Sequence, residues 1–245
     1  MRGIPGTDFA RASPAETPER MDDPSCDPVE IGRALDALAV INRWFGGATA
    51  VRRPIEAGLS DVAPGELTLL DVGTGAGDIP VAIDRRLRAD GWRPRFLFTD
   101  NHATTLRLAR DRVPDALESS YVRLDAARLP FADDTVDIGF SGTMLHHLET
   151  GAAGEFLREI DRVSRVGWVV SDLRRGPSLR IAFGVLSATL MRNNETARLD
   201  GSASIRRAFT AAEVRTLLDR AGLERAVVRS GPIRWVAIGG GLVRG

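Results

Sequence analysis

The chain has 245 residues, 43% of them hydrophobic, with 33 basic and 33 acidic side chains. That length supports a sizeable core, and zero net charge gives no footprint for a polyanionic partner. Every basic residue is arginine, which excludes a P-loop lysine, a Schiff base and a lysine general base, while the single cysteine, Cys26, excludes an internal disulfide framework. Residues 1–26 are rich in Pro, Gly, Ala and charge and are expected to form a disordered tail, with Met21 as an alternative start. Asp27-Pro28-Val29-Glu30 reads as a helix opening, and Ile31, Leu35, Leu38, Ile41 and Phe45 then share one helical face. Trp44 and Phe45 are expected in the core. A second helix is predicted over residues 49–58.

From residue 67 strands and helices alternate. Strands are predicted at 67–72, 95–99, 121–124, 136–141 and 168–171, with helices at 80–89, 102–113 and 154–163. Such alternation means a parallel sheet covered by helices on both faces, an α/β fold of the doubly wound, Rossmann-like kind. The rhythm breaks at 174–208, where an apolar stretch, 179–191, predicts a helical insertion. Thr210-Ala211-Ala212-Glu213 is a capping box. Residues 224–230 and 234–238, split by Gly231-Pro232, predict a terminal antiparallel hairpin. The expected organisation is one domain over 27–245: cap helices at 27–60, a core at 67–173, a lid at 174–208, and a closing helix and hairpin at 209–245.

Chemistry concentrates at Leu70-Asp71-Val72-Gly73-Thr74-Gly75-Ala76-Gly77-Asp78. Three glycines at alternate positions between a strand and a helix let backbone approach a ligand closely, and the helix-opening amides face the same space. A lone glycine-rich loop is a weak signal, because dinucleotide folds share it. Acids at the ends of the next two strands sharpen it. Asp100 suits a ribose diol, and Asp125, followed by Ala126 and Leu129-Pro130-Phe131, suits a nucleobase amine beside apolar residues.

These motifs, with Ser141-Gly142-Thr143-Met144-Leu145-His146-His147-Leu148 and Arg207-Ala208-Phe209-Thr210, resemble the class I S-adenosylmethionine (SAM)-dependent methyltransferases over residues 67–238. The resemblance implies a seven-stranded, mostly parallel sheet and SAM as the cofactor. It assigns cofactor binding to Asp71, Gly73, Thr74, Gly75, Gly77, Asp78, Asp100, Asn101, Asp125, Ala126, Ser141 and Gly142. Ile41-Asn42-Arg43, Gly77-Asp78-Ile79-Pro80 and Ser171-Asp172-Leu173-Arg174 further resemble bacterial methyltransferases of secondary metabolism. Some of those are associated with polyketide, phenolic or quinone products.

His146 and His147 follow the fourth strand at the sheet edge where such folds bind ligands. A neutral imidazole there suits the general base for methylation of a phenol or hydroxyl, and His146 is the first choice. Asp172, after the fifth strand, suits an orienting or substrate-binding role. The expected catalytic set is therefore His146, His147 and Asp172, with no metal.

The expected function is methyl transfer from SAM to the hydroxyl of a small, aromatic or apolar acceptor. Carbon methylation of an activated ring, a nicotinamide-dependent oxidoreductase and a non-catalytic SAM-binding regulator are the alternatives. No nucleic-acid partner is expected, because there is neither a basic stripe nor an Asn/Asp-Pro-Pro-aromatic motif. Homodimerisation is left open. No apolar run approaches a membrane span and no signal region opens the chain, so a cytoplasmic location is expected.

Overall fold

A computed structural model describes residues 10–23, 25–189, 192 and 194–243. In chain order it contains α1 (Pro28–Trp44), α2 (Gly47–Leu59), β1 (Glu66–Val72), α3 (Asp78–Ala89), β2 (Arg93–Asp100) and α4 (Ala103–Arg112). Then follow β3 (Ser119–Arg123), β4 (Val136–Gly142), α5 (Thr150–Val163), β5 (Ser164–Leu173), α6 (Pro177–Thr189), α7 (Glu195–Arg207), α8 (Ala211–Ala221), β6 (Val227–Ser230) and β7 (Arg234–Gly240). A short 3-10 turn spans Leu145–His147.

The sheet order is β3-β2-β1-β4-β5-β7-β6. Strands β1 to β5 run parallel, and β7 is antiparallel to both β5 and β6. The alternating segments, the terminal hairpin and the Rossmann-like class follow the sequence expectation. The order reverses between β1 and β4, so the loops at their carboxyl ends diverge and leave a crevice.

Two apolar layers hold the sheet. Val51, Ile55, Ile83 and Leu87 from α2 and α3 pack with Phe96, Phe98 and Phe140 on one face. Phe156, Leu157 and Ile160 of α5 and Val214 and Leu218 of α8 pack with Trp168 and Trp235 on the other. Each such large side chain removed from water contributes about 1.5–3 kcal/mol. The capping box of α8 is formed as expected, Thr210 and Glu213 satisfying each other's backbone N–H.

Three expectations change. The segment predicted as one insertion helix contains two, α6 and α7; Met191, at the end of the predicted stretch, lies outside the described residues. Trp44 is 70% exposed, because the chain leaves α1 there on its outer face. Residues 10–23 do not behave as a disordered tail: they cross the carboxyl edge of the sheet and dock on it. Arg11 donates from Nε to the Arg207 carbonyl at 2.6 Å and from Nη2 to the Leu148 carbonyl at 2.7 Å, with its guanidinium over the Phe209 ring. The backbone N–H of Arg20 donates to Asp200, and Glu19 is buried. Composition missed this because the partners lie up to 196 residues away. Residues 1–9 lie outside the described part.

Candidate active site

The loop after β1 is fixed by β2. The N–H groups of Gly73 and Thr74 both donate to the Thr99 carbonyl, at 2.8 and 2.9 Å. Gly73 has φ +75°, and a Cβ there would collide with Met144. Gly77, with φ +76°, ends the loop and opens α3. The backbone thus forms the floor of a cleft of about 250 Å³ at the carboxyl edge.

Most residues the sequence assigned to the cofactor meet in this cleft. Gly73, Thr74, Gly75 and Asp78 come from the loop and the start of α3, and Asp100 and Asn101 from the end of β2. Asp125 and Ala126 follow β3, and Gly142 ends β4. Asp100 accepts from the N–H of His102 at 2.9 Å and of Gly75 at 3.4 Å, which aims its carboxylate along the cleft. Burial raises its pKa against these hydrogen bonds.

Three expected residues do not line the cleft. Asp71 is 2% exposed beneath the loop, where Thr74 Oγ1 donates to its Oδ2 at 2.5 Å. It sits on the inward phase of the strand, so it supports the loop from below, and burial pushes its pKa up to about 8. Ser141 is buried and donates to the Val72 carbonyl, tying β4 to β1. Gly77 packs towards Val113 of the next βα connection.

Sequence reading gave no role to three residues that join Asp78 in a second set. Asn42 of α1, Thr143 after β4 and Arg234 of β7 are buried and bonded to one another, and Asn42 reaches Asp78. Thr143 Oγ1 donates to Asn42 Oδ1, Arg234 donates to both residues, and Asn42 Nδ2 donates to Asp78. Burial lowers the Arg234 pKa to about 10. The network clamps α1 over the cleft. No local pattern reveals it, because its members are brought together only by the sheet order; the positive φ of Thr143 (62°) is likewise invisible in the sequence.

Beside the cleft is a smaller cavity, about 60 Å³, walled mainly by Ile41, Phe45, Leu173, Leu179, Phe183 and Ile205. Met21, Leu38, Thr143 and His147 border both spaces. His146, the first-choice base, lines only the smaller cavity and is 1% exposed; His147 faces both. Asp172 lies behind His146, its Oδ1 2.9 Å from Nδ1, and it accepts the His146 backbone N–H at 2.8 Å.

Glu19, from the docked N-terminal segment, closes the same wall. Its Oε1 is 3.6 Å from His146 Nε2, and its Oε2 is 3.8 Å from His147 Nε2. Burial opposes charge on both rings, but the surrounding carboxylates prevail: Asp172 raises the pKa of His146, and Glu19 and Asp22 raise that of His147 to about 10. Burial likewise opposes the Glu19 carboxylate, yet the two histidines and Arg207 hold its pKa at about 2. The surrounding carboxylates thus favour the charged form of both rings over the neutral base expected from sequence. The reason is Glu19, which composition had assigned to a tail.

The family described as "Methyltransferase domain" matches residues 69–167, the stretch that carries the loop, Asp100, Asp125 and the histidine pair. A SAM-dependent methyltransferase from Aquifex aeolicus shares the fold, with a TM-score of 0.55 at 20% identity, over 87% of this chain and 97% of that one. Residues 69–167 therefore carry a methyltransferase domain, on the fold of SAM-dependent methyltransferases. Two curated methyltransferases are similar over part of their length. The ubiquinone/menaquinone biosynthesis C-methyltransferase UbiE of Stenotrophomonas maltophilia is 33% identical over 111 residues, 44% of this chain and 42% of that protein. The demethylmenaquinone methyltransferase of a Roseiflexus species is 29% identical over 172 residues, 68% of this chain and 65% of that protein. The matched stretch thus spans less than two-thirds of either relative. Among the described residues no helix is long and apolar enough to cross a membrane.

Proposed function

We propose that the chain transfers a methyl group from SAM to an oxygen of a small apolar or aromatic acceptor, a phenolic, quinone or polyketide-like metabolite. The observation that carries this reading is the pair of adjoining spaces: a glycine-floored cleft that presents Asp78, Asp100 and Asp125, and an apolar cavity, joined at Thr143 and His147.

The cleft fits SAM. Gly73, Thr74 and Gly75 bring the loop backbone to its wall, and Asp100 presents a carboxylate with unused lone pairs to a ribose diol. Leu124 and Ala126 offer an apolar surface to adenine beside Asp125. Gly142, Thr143 and Met144 border the methionine end, nearest the second cavity. When bound, SAM supplies the electrophilic methyl of its sulfonium.

The chain supplies alignment and exclusion of water, which together are worth about 7–11 kcal/mol in favourable cases. The Asn42–Thr143–Arg234 clamp and the docked residues 10–23 cover the junction. His147 at the junction and His146 beside it would hold the acceptor as its oxyanion, the hydroxyl proton having passed to solvent on binding. Asp172 is a positioning residue that fixes the His146 ring.

A second reading, methylation of a ring carbon, is favoured by the names of the curated relatives, which are methyltransferases of ubiquinone and menaquinone synthesis. Incubation with SAM carrying a ¹³C-methyl and a panel of phenols, hydroxyquinones and hydroxylated polyketides tests both. A methoxy resonance in the product supports oxygen transfer, and an aryl-methyl resonance supports carbon transfer. SAM binding without any labelled product across the panel would sink the small-molecule reading.

A further inference from the structure

We propose that Glu19, His146 and His147 form a binding site for one first-row divalent cation of borderline softness, such as zinc. Among the described residues this is the group whose imidazole and carboxylate ligand atoms converge, all within 4.8 Å of one another.

The ligand set is two histidines and one carboxylate, which suits zinc or a similar transition metal and leaves coordination positions open. Magnesium and calcium, which need oxygen-rich shells, fit poorly. Ligand atoms about 2.0–2.2 Å from a tetrahedral ion lie about 3.3–3.5 Å apart. Here Glu19 Oε1 and His146 Nε2 are 3.6 Å apart, and Glu19 Oε2 and His147 Nε2 are 3.8 Å apart. Each of these two separations is within a few tenths of an ångström of that spacing, and the full set, bounded at 4.8 Å, closes by up to about 1.3 Å through ring and carboxylate rotation.

The His146 Nε2 atom is buried and has no hydrogen-bond partner, an arrangement that costs free energy unless something binds it. Both rings are also backed as metal-bound histidines are. The Nδ1 of His146 lies 2.9 Å from Asp172, and the Nδ1 of His147 lies 3.0 Å from Asp22, so each Nε2 is turned towards the cavity. The carboxylates of Glu19, Asp22 and Asp172 surround the two rings, with Arg207 Nη1 3.3 Å from both Glu19 and Asp22. Metal binding releases the protons that the two rings otherwise hold, so zinc and protons compete for the site. The open positions of the ion face the apolar cavity, where an oxygen of a small molecule can complete the shell.

Glu19 belongs to the docked segment 10–23, while both histidines follow β4. Binding therefore fastens that segment across the sheet edge, and metal reaches the histidines when the segment lifts.

The test uses tag-free full-length protein, dialysed against EDTA and then freed of chelator. Zinc chloride is titrated calorimetrically, and metal retained after desalting is measured by mass spectrometry. One zinc per chain is expected, with no retained magnesium. Glu19→Gln and His147→Asn should each weaken zinc binding at least tenfold, and Asp172→Asn by about 10–100-fold. Cobalt substitution gives a measure that needs no variant: the unaltered protein should show visible d–d bands of low coordination number, which zinc abolishes. Retention below about a tenth of an equivalent, absence of those cobalt bands, or wild-type affinity in folded Glu19→Gln and His147→Asn would each overturn the site. None of these readouts uses methyl transfer, so failure of the acceptor screen leaves the metal site standing, and the reverse.

Discussion

Asp172 holds His146 at two points: one carboxylate oxygen accepts the backbone N–H at 2.8 Å, and the other lies 2.9 Å from Nδ1 of the ring. Both residues are buried. A carboxylate with no access to water is kept charged by this pairing, against a burial penalty that works the other way. Replacing Asp172 by Ala leaves His146 uncompensated, and breaking a buried pair costs about 3–5 kcal/mol. Urea unfolding should show a loss of that size. SAM affinity of the folded protein should stay within a few-fold, because neither residue lines the cofactor cleft. A stability change below about 1 kcal/mol would show that the pair is dispensable.

Asp100 is expected to carry more of the cofactor affinity than Asp125. Asp100 is part-buried and held by two backbone N–H groups, whereas Asp125 is exposed and caps its own turn through Ala127. Charge-assisted hydrogen bonds contribute about 1.5–3 kcal/mol, so Asp100→Ala should weaken SAM binding by roughly 10–100-fold. Asp125→Ala should cost less than about tenfold. Calorimetric titration with SAM checks the ranking, and equal losses would contradict it.

Gly73 and Gly46 separate strain from collision. Both have positive φ, 75° and 70°, but a Cβ at Gly46 meets nothing within 4 Å while one at Gly73 strikes Met144. Gly46→Ala should cost only the conformational penalty, about 1–2 kcal/mol. Gly73→Ala should cost more and also reduce SAM affinity, because Met144 must move into the cleft. Thermal melts with and without SAM distinguish the two variants.

Stability should fall with pH through Asp71. Burial raises its folded pKa to about 8, while an unfolded aspartate titrates near about 3.9. The native chain holds the extra proton between these values. Its contribution is therefore full below about pH 4 and is lost as pH rises through about 8. Asp71→Asn has no proton to lose, so its melting temperature relative to wild type should climb between about pH 5 and pH 8. Parallel profiles for the two proteins would show that Asp71 does not titrate in this window.

Arg11→Ala tests the docking of the N-terminal segment. Its guanidinium spans the Arg207 and Leu148 carbonyls, and hydrogen bonds to a charged group contribute about 1.5–3 kcal/mol. Hydrogen exchange at residues 10–23 should accelerate by roughly tenfold or more if that interaction is lost. Unchanged protection would mean that Glu19 and Asp200 suffice to hold the segment.

The architecture was legible because its signals are local. Alternating apolar runs and helix caps are written within a few residues of each other, and so is the glycine spacing after β1. Asp100 and Asp125 line the cleft because a strand end fixes where a following acid must lie. Asp71 was misplaced for a related reason: strand phase decides whether a side chain faces the cleft or the core, and one residue reverses it. The Asn42–Thr143–Arg234 clamp joins residues up to 192 positions apart, and no periodicity marks it.

By itself the sequence determined the sheet, the glycine loop after β1 and the likeness to methyltransferases, because each depends on short-range pattern and backbone geometry. Only the tertiary structure decided the state of the histidine pair. His146 and His147 are a neutral base or a charged, carboxylate-bound cluster according to what sits opposite them, and that is Glu19, more than 120 residues earlier in the chain. Electrostatics in a buried site depends on distance in space, and the fold sets that distance.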